Sequence, residues 1–393
     1  MNRLCHDREA IGPVKPRVVR RPRLAVACVL AATLQVTAGV AQEAPVRLTQ
    51  IARVGVVDGD ARYQFFEIAA ALSVRGDTIV VADGGSQNLR FYDPSGQFVR
   101  SVGGAGDGPG EYRRLTSVTV WRDSLFVYDH DLARMTVLDR HGGMRRSFRL
   151  GFDDSRPLQS ILGVVEPGLV IGEVGAVLMP GVESGIRRDS FTVAAYDLAG
   201  RHVRPIGRFN GNDQIVLVRT TAGSMSVSKR LLPNGRMTFR ATSSTRIVVG
   251  ETDRYEVKQY DADGKLVSQI QQARDEVQLS PEEQAGMRRR ITAAPDPNQR
   301  REAERLIRGM ELPRTRPAYS DLAVATDGRI LIRESAAGQD GARWTLFDTV
   351  GQLRSHIVLP VTARILHLRE GTLITVESDD VGVEQVVMYH LGQ

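Results

Sequence analysis

The sequence is poor in cysteine: it has two, Cys5 and Cys28, and both lie within the first 41 residues. If that segment is removed, as argued next, the mature chain holds no thiol. Disulfide bonds, thiolate catalysis and cysteine-ligated zinc are then excluded. Aromatic residues make up only 6% of the chain and charged residues 25%, which is typical of a soluble globular protein and not of a disordered one.

Residues 1–41 have the pattern of a secretory signal peptide. Three arginines precede an apolar run over residues 24–41, and small residues stand one and three positions before a cut at Gln42. The mature chain, 42–393, then holds 45 basic and 44 acidic residues, so its net charge is +1 and not the +6 of the whole sequence. This balance does not indicate a nucleic-acid partner.

From this segment we predict cleavage and export to the periplasm or the extracellular space. We expect a monomer with no membrane span in the mature chain. Lipid attachment at Cys28 is not expected, because the apolar run lies mainly after this residue.

A short pattern, apolar–aromatic–Asp–x–x–Gly, recurs along the chain. Its copies lie at 91–96, 137–142, 195–200, 259–264 and 346–351, with a degraded sixth at 388–392. We predict that each is a strand that enters a tight turn. The aspartate would cap the turn with its side chain, and the glycine would supply the positive φ that closes it.

A β-rich run that ends in an acid precedes each copy. The six acids are Asp83, Asp129, Glu173, Glu251, Glu334 and Glu377. Further short apolar strands flank each pair of runs, so six units of four short strands fill the chain. Such units are typical of an all-β, six-bladed β-propeller, whereas hairpin-sized connections argue against a row of parallel strands.

The two ends of the chain predict how the ring closes. The sixth unit stops after its third strand, and residues 46–54 form a spare strand that we expect to complete it and protect the sheet edges. We predict a signal peptide over residues 1–41 and a single propeller over 42–393, with the closing strand at 46–54. A helical insertion at 274–317 separates blades 4 and 5. The six blades are predicted, in chain order, at 66–102, 115–150, 157–209, 229–270, 318–360 and 361–393.

The stretch FYDPSGQFVRSVGGAGDGPGEY, residues 91–112, resembles six-bladed propellers of the NHL-repeat type. The fourth to sixth units resemble secreted bacterial propellers. This resemblance covers residues 46–393 and implies a six-bladed ring around a central channel. Its motifs are specific for the fold and carry over no catalytic residue.

Residues 274–317 interrupt the repeat and are predicted to be helical. Ser280, Pro281 and Glu283 form the pattern of a capping box, and residues 300–310 place apolar side chains on one stripe. The segment could be a helical hairpin packed on the ring, or a lid or partner-docking arm. The sequence leaves both interpretations open.

Several motifs of catalysis are missing. The glycine-rich run at 103–110 lacks the Lys-Ser/Thr of a phosphate loop, and we interpret it as a connection between blades. No GxSxG elbow is present, and no two histidines have metal-ligand spacing on one element. Zinc-dependent lyases of the resembled family place histidines around the channel, and His130 is the one histidine well placed for this.

We therefore predict a non-catalytic binding protein with no cofactor, whose partner is a protein, a glycan or a small ligand. Long insertions at 174–190, 210–228 and 274–317 fall on one face, where variable loops usually bind. The six acids end their strands at the same face, and together with His130 they are the candidate binding residues. Each acid could instead cap its own loop or pair with a neighbouring arginine.

The alternative is a metal-dependent hydrolase or lyase that resembles the propeller lactonases and gluconolactonases. The resemblance would place Ca²⁺ or Zn²⁺ at the channel mouth, held by Glu, Asn and Asp side chains. No convincing set of such residues can be selected from the sequence.

Overall fold

The computed structural model of the protein describes residues 45–74, 78–150, 158–175, 183–221, 224–293, 297–335, 341–379 and 382–392. The predicted signal segment and the middle of the insertion at 174–190 lie outside these residues. Within the described ranges, no helix is both long and apolar enough to cross a membrane.

The first half of the described chain is built almost entirely of short antiparallel strands. After β1 (Leu48–Val54) and a short 3₁₀ turn (Ala61–Tyr63), sheet 1 contains β2 (Ile68–Val74), β3 (Thr78–Asp83), β4 (Asn88–Tyr92) and β5 (Phe98–Gly103). Sheet 2 contains β6 (Leu115–Trp121), β7 (Ser124–Asp129), β8 (Arg134–Asp139) and β9 (Met144–Arg149). The next five strands are β10 (Leu158–Val165), β11 (Leu169–Val174), β12 (Gly185–Arg187), β13 (Ser190–Tyr196) and β14 (His202–Asn210), and all but β12 form sheet 3.

The second half contains three more four-stranded sheets and two helices. The strands β15 (Gln214–Thr221) and β16 (Ser224–Leu231) form a small seventh sheet with β12, in which β15 is the central strand. Sheet 4 contains β17 (Thr238–Thr242), β18 (Ile247–Glu251), β19 (Tyr255–Tyr260) and β20 (Leu266–Gln272), and it is followed by α1 (Pro281–Thr292) and α2 (Pro297–Arg308). Sheet 5 contains β21 (Asp321–Val324), β22 (Ile330–Arg333), β23 (Ala342–Phe347) and β24 (Leu353–Leu359). Sheet 6 contains β25 (Arg364–Arg369), β26 (Thr372–Ser378), β27 (Glu384–Leu391) and, as its fourth strand, β1.

The repeated aspartate and glycine form the tight turns expected of them. In the last hairpin of sheets 1 to 5, the aspartate Oδ1 accepts hydrogen bonds of 2.8–3.0 Å from the N–H groups two and four residues later. The glycine of each turn has a φ of 83–85°, where a side chain would be strained. The five turns are Asp93–Gly96, Asp139–Gly142, Asp197–Gly200, Asp261–Gly264 and Asp348–Gly351. The prediction is confirmed for these five copies, whereas residues 388–391 of the degraded sixth copy lie within β27.

Successive sheets pack face to face through apolar side chains. Six buried clusters lie between neighbouring sheets in chain order, and one of the six joins sheet 6 to sheet 1. The first strand of each sheet contacts the first strand of the next, and β25 contacts β2. Most residues of the second and third strands of each sheet are buried, so these strands are rich in apolar residues, whereas the fourth strands are largely exposed.

The two ends of the described chain meet in sheet 6. Strand β1 pairs antiparallel with β27, from Leu48 opposite Leu391 to Val54 opposite Val386. Ala52 and Val54 are buried in the cluster between sheets 6 and 1. The N-terminal strand therefore contributes both backbone pairing and apolar contacts to the last sheet.

The insertions assemble into one structure, which we call the insertion cluster: β12, β15, β16, α1 and α2. Ile215, Met287, Ile291 and Ile307 share a buried core that is separate from the six cores between the sheets. The predicted capping box is present at α1, where Ser280 Oγ accepts from Glu283 N–H at 3.2 Å and the Glu283 carboxylate accepts from Ser280 N–H at 2.8 Å.

One boundary differs between sequence and structure. The fourth blade was predicted over 229–270, but the first strand of sheet 4 begins at Thr238, and residues 229–231 belong to β16. Residues 229–231 extend β16 because they pair with β15, whose other edge pairs with β12.

Candidate ligand-binding cleft

The six predicted acids lie at the same end of their sheets, at or next to the end of the second strand and opposite the start of the first. Asp83 is fully buried. Its Oδ1 accepts from the N–H groups of Phe66, Glu67, Gly85 and Ser86 at 3.0–3.3 Å, and its Oδ2 accepts from Arg90 at 3.1 Å. Both oxygens of this carboxylate are thus bonded within the fold.

Asp129 has a similar environment in sheet 2. It is fully buried and accepts from the N–H groups of Arg113 at 2.6 Å and Leu132 at 3.0 Å. The neighbouring His130 is partly exposed and contacts Arg114 and Asp131, the latter at 3.2 Å. Asp129 thus organises the loop between sheets 1 and 2, while His130 lies at its surface.

Glu173 and Glu377 are buried, and each forms an ion pair with an arginine of another strand. Glu173 accepts from Arg240 Nε of sheet 4 at 2.7 Å. Glu377 accepts from Arg53 of β1 at 2.9 Å and from the Tyr389 hydroxyl at 2.6 Å. These pairs connect strands that are distant in the sequence, and breaking either would leave a buried charge.

Glu251 and Glu334 are less enclosed. Glu251 accepts from Asn210 Nδ2 at 2.9 Å. Glu334 accepts from Thr345 Oγ1 at 3.0 Å and lies 3.5 Å from Arg274 Nη1. Of the seven predicted residues, Glu334 is the one that lines the large cleft described below. The structure does not bring the seven together into one site.

The central channel is narrow and mostly uncharged. A cavity of about 260 Å³ is lined by the first strands of all six sheets, chiefly by alanine, valine, serine and threonine. His367 is in its wall, and burial together with the charge of Arg369 lowers its pKa to about 4. Among the described residues, no group of three or more His, Cys, Asp or Glu side chains is arranged to hold a metal ion.

A much larger cavity lies elsewhere, between the insertion cluster and sheets 4 and 5. It has a volume of about 1360 Å³. Its walls are the start of β19, the segment from Gln271 to Val277 and the segment from Glu311 to Ala318. Asp213, Leu232 and Arg236 close it on the side of the small sheet.

Charged and aromatic groups are fixed in the cleft wall. The Arg274 guanidinium lies 4.2 Å from the centre of the Tyr255 ring and also pairs with Glu334. The carboxylate of the buried Asp213 accepts hydrogen bonds from the backbone N–H of Arg236 at 2.9 Å and from Arg236 Nε at 3.0 Å. The side-chain hydrogen bond raises the pKa of Arg236. Such pairs hold the wall in place and present polar groups to a ligand.

Other charges in the cleft remain available. Arg254 and Arg314 are exposed, and neither forms an ion pair with a described residue. Arg316 instead pairs with Glu283 at 2.7 Å and so fastens the segment before sheet 5 to α1. The arrangement can bind a polar ligand that carries charges, and it has no feature of a nucleophile–base pair.

The sequence predicted the insertions but not their assembly. Residues 214–221 (QIVLVRTT) contain a β-rich apolar run that could have indicated β15. Its partners, β12 and α1, are not sequence neighbours, and no local pattern specifies such pairing. The cleft depends on this assembly and was therefore missed.

Comparisons with known proteins agree with this architecture. Residues 65–142 match a family model described as a six-bladed β-propeller. Together with six sheets of four antiparallel strands, this match identifies the chain as a β-propeller protein. The comparison with curated proteins found no match.

Three solved structures are similar to this chain at low identity. One is a gluconolactonase from Xanthomonas campestris, 14% identical, with 88% of this chain and 90% of that chain covered and a TM-score of 0.44. A member of the DUF4221 family from Bacteroides vulgatus is 9% identical, with 89% and 99% covered and a TM-score of 0.49. A streptogramin B lyase is 11% identical, with 88% and 98% covered and a TM-score of 0.41. At these values no activity transfers to this chain.

Proposed function

We propose that this protein is a non-catalytic, exported binding protein whose ligand occupies the cleft between the insertion cluster and sheets 4 and 5. The observation that carries the proposal is that three insertions, separate in the sequence, share one core and border a cavity of about 1360 Å³. Ligand pockets for drug-sized molecules have volumes of about 300–1000 Å³. The cleft therefore suits an extended ligand, such as a protein segment or an oligosaccharide.

The scaffold of this function would be a six-bladed ring of the NHL-repeat type. The pairing of β1 with β27 and the apolar cluster between sheets 6 and 1 support closure by the N-terminal strand. A rigid ring would hold sheets 4 and 5 still while the insertion cluster forms the opposite wall of the cleft.

Deleting residues 46–54 tests the closure. The deletion leaves β27 as an unpaired edge and removes two buried side chains, so we expect aggregation and loss of a cooperative melt. Size-exclusion chromatography and calorimetry would measure this. A monomeric truncated protein with an unchanged melting temperature would contradict the closure.

A cleft-filling variant tests the binding site. Ala273 is exposed in the cleft wall, so Ala273→Trp should block ligand entry without disturbing a core. Ala199→Trp, in the exposed hairpin turn of sheet 3, is the matched control. A panel of peptides and oligosaccharides would be screened by thermal shift, and the hits measured by calorimetry against both variants.

We expect hits to lose at least about tenfold in affinity with Ala273→Trp, equivalent to about 1.4 kcal/mol, and to keep wild-type affinity with Ala199→Trp. Equal affinities for the two variants would contradict the cleft as the site.

Thermal melting with and without Ca²⁺ or Zn²⁺ tests the alternative, a metal-dependent enzyme. We expect no shift in the melting temperature, and a clear metal-dependent rise would favour a metal-dependent hydrolase or lyase.

A further inference from the structure

Five arginines on the outer strands and in the last hairpin turn of sheets 1 and 2 form no ion pair with a described residue, as is also true of nearly half of the arginines elsewhere in the described ranges. With one histidine they define a set that we call the basic rim: Arg100, Arg140, His141, Arg145, Arg146 and Arg149. Arg146 alternates with Arg145 along β9, so its side chain lies on the other face of this strand. Residues 42–393 have a net charge of +1, so without these five arginines the remainder has a net charge of −4. Residues 140–149 alone hold four arginines, one histidine and no acidic residue, so positive charge is concentrated in this hairpin.

The rim crosses from sheet 1 to sheet 2. Arg100 Nη2 of β5 lies 3.4 Å from His141 Nδ1, and Arg140 Nε lies 3.0 Å from His141 Nε2. A neutral imidazole accepts a hydrogen bond at only one nitrogen, so these two guanidinium donors cannot both be satisfied by the ring. An anion placed between them would accept from both.

Asp139 is the acid at the turn that carries the rim, and its carboxylate is already engaged. Its Oδ1 accepts from the N–H groups of His141 at 2.8 Å and Gly143 at 3.0 Å. The hydrogen bond from Gly143 chiefly lowers the pKa of Asp139, and the charge of Arg145 adds to this effect. One turn-bound carboxylate does not neutralise five guanidiniums.

The aromatic faces near the rim are covered. The Arg100 guanidinium lies over the Phe91 ring at 5.2 Å, and that of Arg146 lies over Phe148 at 5.1 Å. Arg146 also donates to the Leu198 carbonyl of sheet 3 at 2.7 Å. No aromatic face of the rim is free to stack a nucleic-acid base, and no helix there could enter a membrane interface.

We propose that the basic rim binds an acidic polysaccharide, by charge-assisted hydrogen bonds from its guanidiniums to carboxylate or sulfate groups. Arg145 and Arg149 are four residues apart on an exposed edge strand, which spans about 13 Å. A flexible anionic chain can follow this distance and reach Arg100 and Arg140 on the next sheet. This surface is separate from the cleft and from its ligand.

The experiment compares two doubly neutralised variants of the full-length mature protein. Arg145→Gln/Arg149→Gln removes two charges of the rim, and Lys265→Gln/Arg354→Gln removes two from the outer hairpins of sheets 4 and 5. The probes are polygalacturonate, dextran sulfate, uncharged dextran, single-stranded DNA and anionic phospholipid vesicles. Interferometry measures affinity in low salt and again in 150 mM salt.

We expect both acidic polysaccharides to bind, uncharged dextran not to bind, and binding to weaken as salt screens the charges. The rim variant should lose about tenfold or more in affinity, while the control should lose less than about twofold. Equal losses in the two variants, no binding of either acidic polysaccharide in low salt, or tighter binding to DNA or vesicles would each overturn the proposal. Circular dichroism of both variants shows that they are folded.

Discussion

The six large sheets and the insertion cluster achieve order in different ways. In the sheets each strand pairs mainly with its sequence neighbour through a short hairpin, and the same Asp–x–x–Gly turn recurs five times. In the insertion cluster, β12 pairs with β15 across 27 or more residues, and the core draws on helices about 70 residues further on. The repeated turns build the six large sheets, whereas the long-range assembly of the insertions borders the cleft.

The largest expected effect comes from placing an aspartate in the core of a large sheet and, separately, in the core of the insertion cluster. Val127 of sheet 2 and Met287 of α1 are both fully buried. Burying a carboxylate costs several kcal/mol, so Val127→Asp should prevent folding of the whole protein. Met287→Asp should open only the insertion cluster and leave the sheets cooperative. Hydrogen exchange would measure this, and global unfolding by Met287→Asp would show that the cluster is not a separate unit.

The next largest effect concerns the predicted acids. Asp83→Asn removes the charge that pairs with the nearly buried Arg90, and we expect a loss of about 3 to 5 kcal/mol in the free energy of unfolding. Glu251→Gln leaves an amide oxygen that can still accept the hydrogen bond from Asn210, so it should lower the free energy of unfolding by less than about 1 kcal/mol. Urea unfolding compares the two variants. Equal losses would contradict the structural role assigned to Asp83.

The six four-stranded antiparallel sheets could be predicted from the sequence because the rules that form them are local. The aspartate that caps each tight turn and the glycine with positive φ that closes it both lie within a motif of six consecutive residues. The capping box at Ser280 was predictable for the same reason. In each case the residues that form the hydrogen bonds are close together in the chain.

The candidate site could be predicted only in part. The strand-ending acids were found, but their partners, such as Arg90, Arg240 and Arg53, come from other strands or from other sheets. The cleft was missed because it lies between insertions that meet only after folding. Charge and spacing identify a residue that can bind, and tertiary contacts decide whether it is free to do so.

A pH-dependent loss of stability is expected from the channel wall. The pKa of His367 is lowered to about 4, whereas the unfolded chain takes up this proton near pH 6.5. Between these values the unfolded state binds more protons, so stability should fall by about 1.4 kcal/mol for each unit of decreasing pH. His367→Leu should flatten this part of the urea-unfolding profile. Identical profiles for the two proteins would contradict the burial of an uncharged ring.

The smallest effect separates turn strain from packing. Gly110 and Gly142 have φ values of 80° and 85°, but a Cβ at Gly110 meets nothing within 4 Å, whereas one at Gly142 lies 2.7 Å from Val102. Gly110→Ala should cost about 1 kcal/mol from strain alone, and Gly142→Ala about 2 to 3 kcal/mol. Thermal melting compares them, and equal costs would mean that the hairpin of sheet 2 has room beside sheet 1.

The most direct test of the central claim is a crystal structure of the protein soaked with the tightest peptide or oligosaccharide from the screen. The account predicts ligand density between the segments Gln271–Val277 and Glu311–Ala318, in contact with Arg254, Arg274 or Arg314. Density confined to the central channel or to its mouth, with an empty cleft, would contradict it.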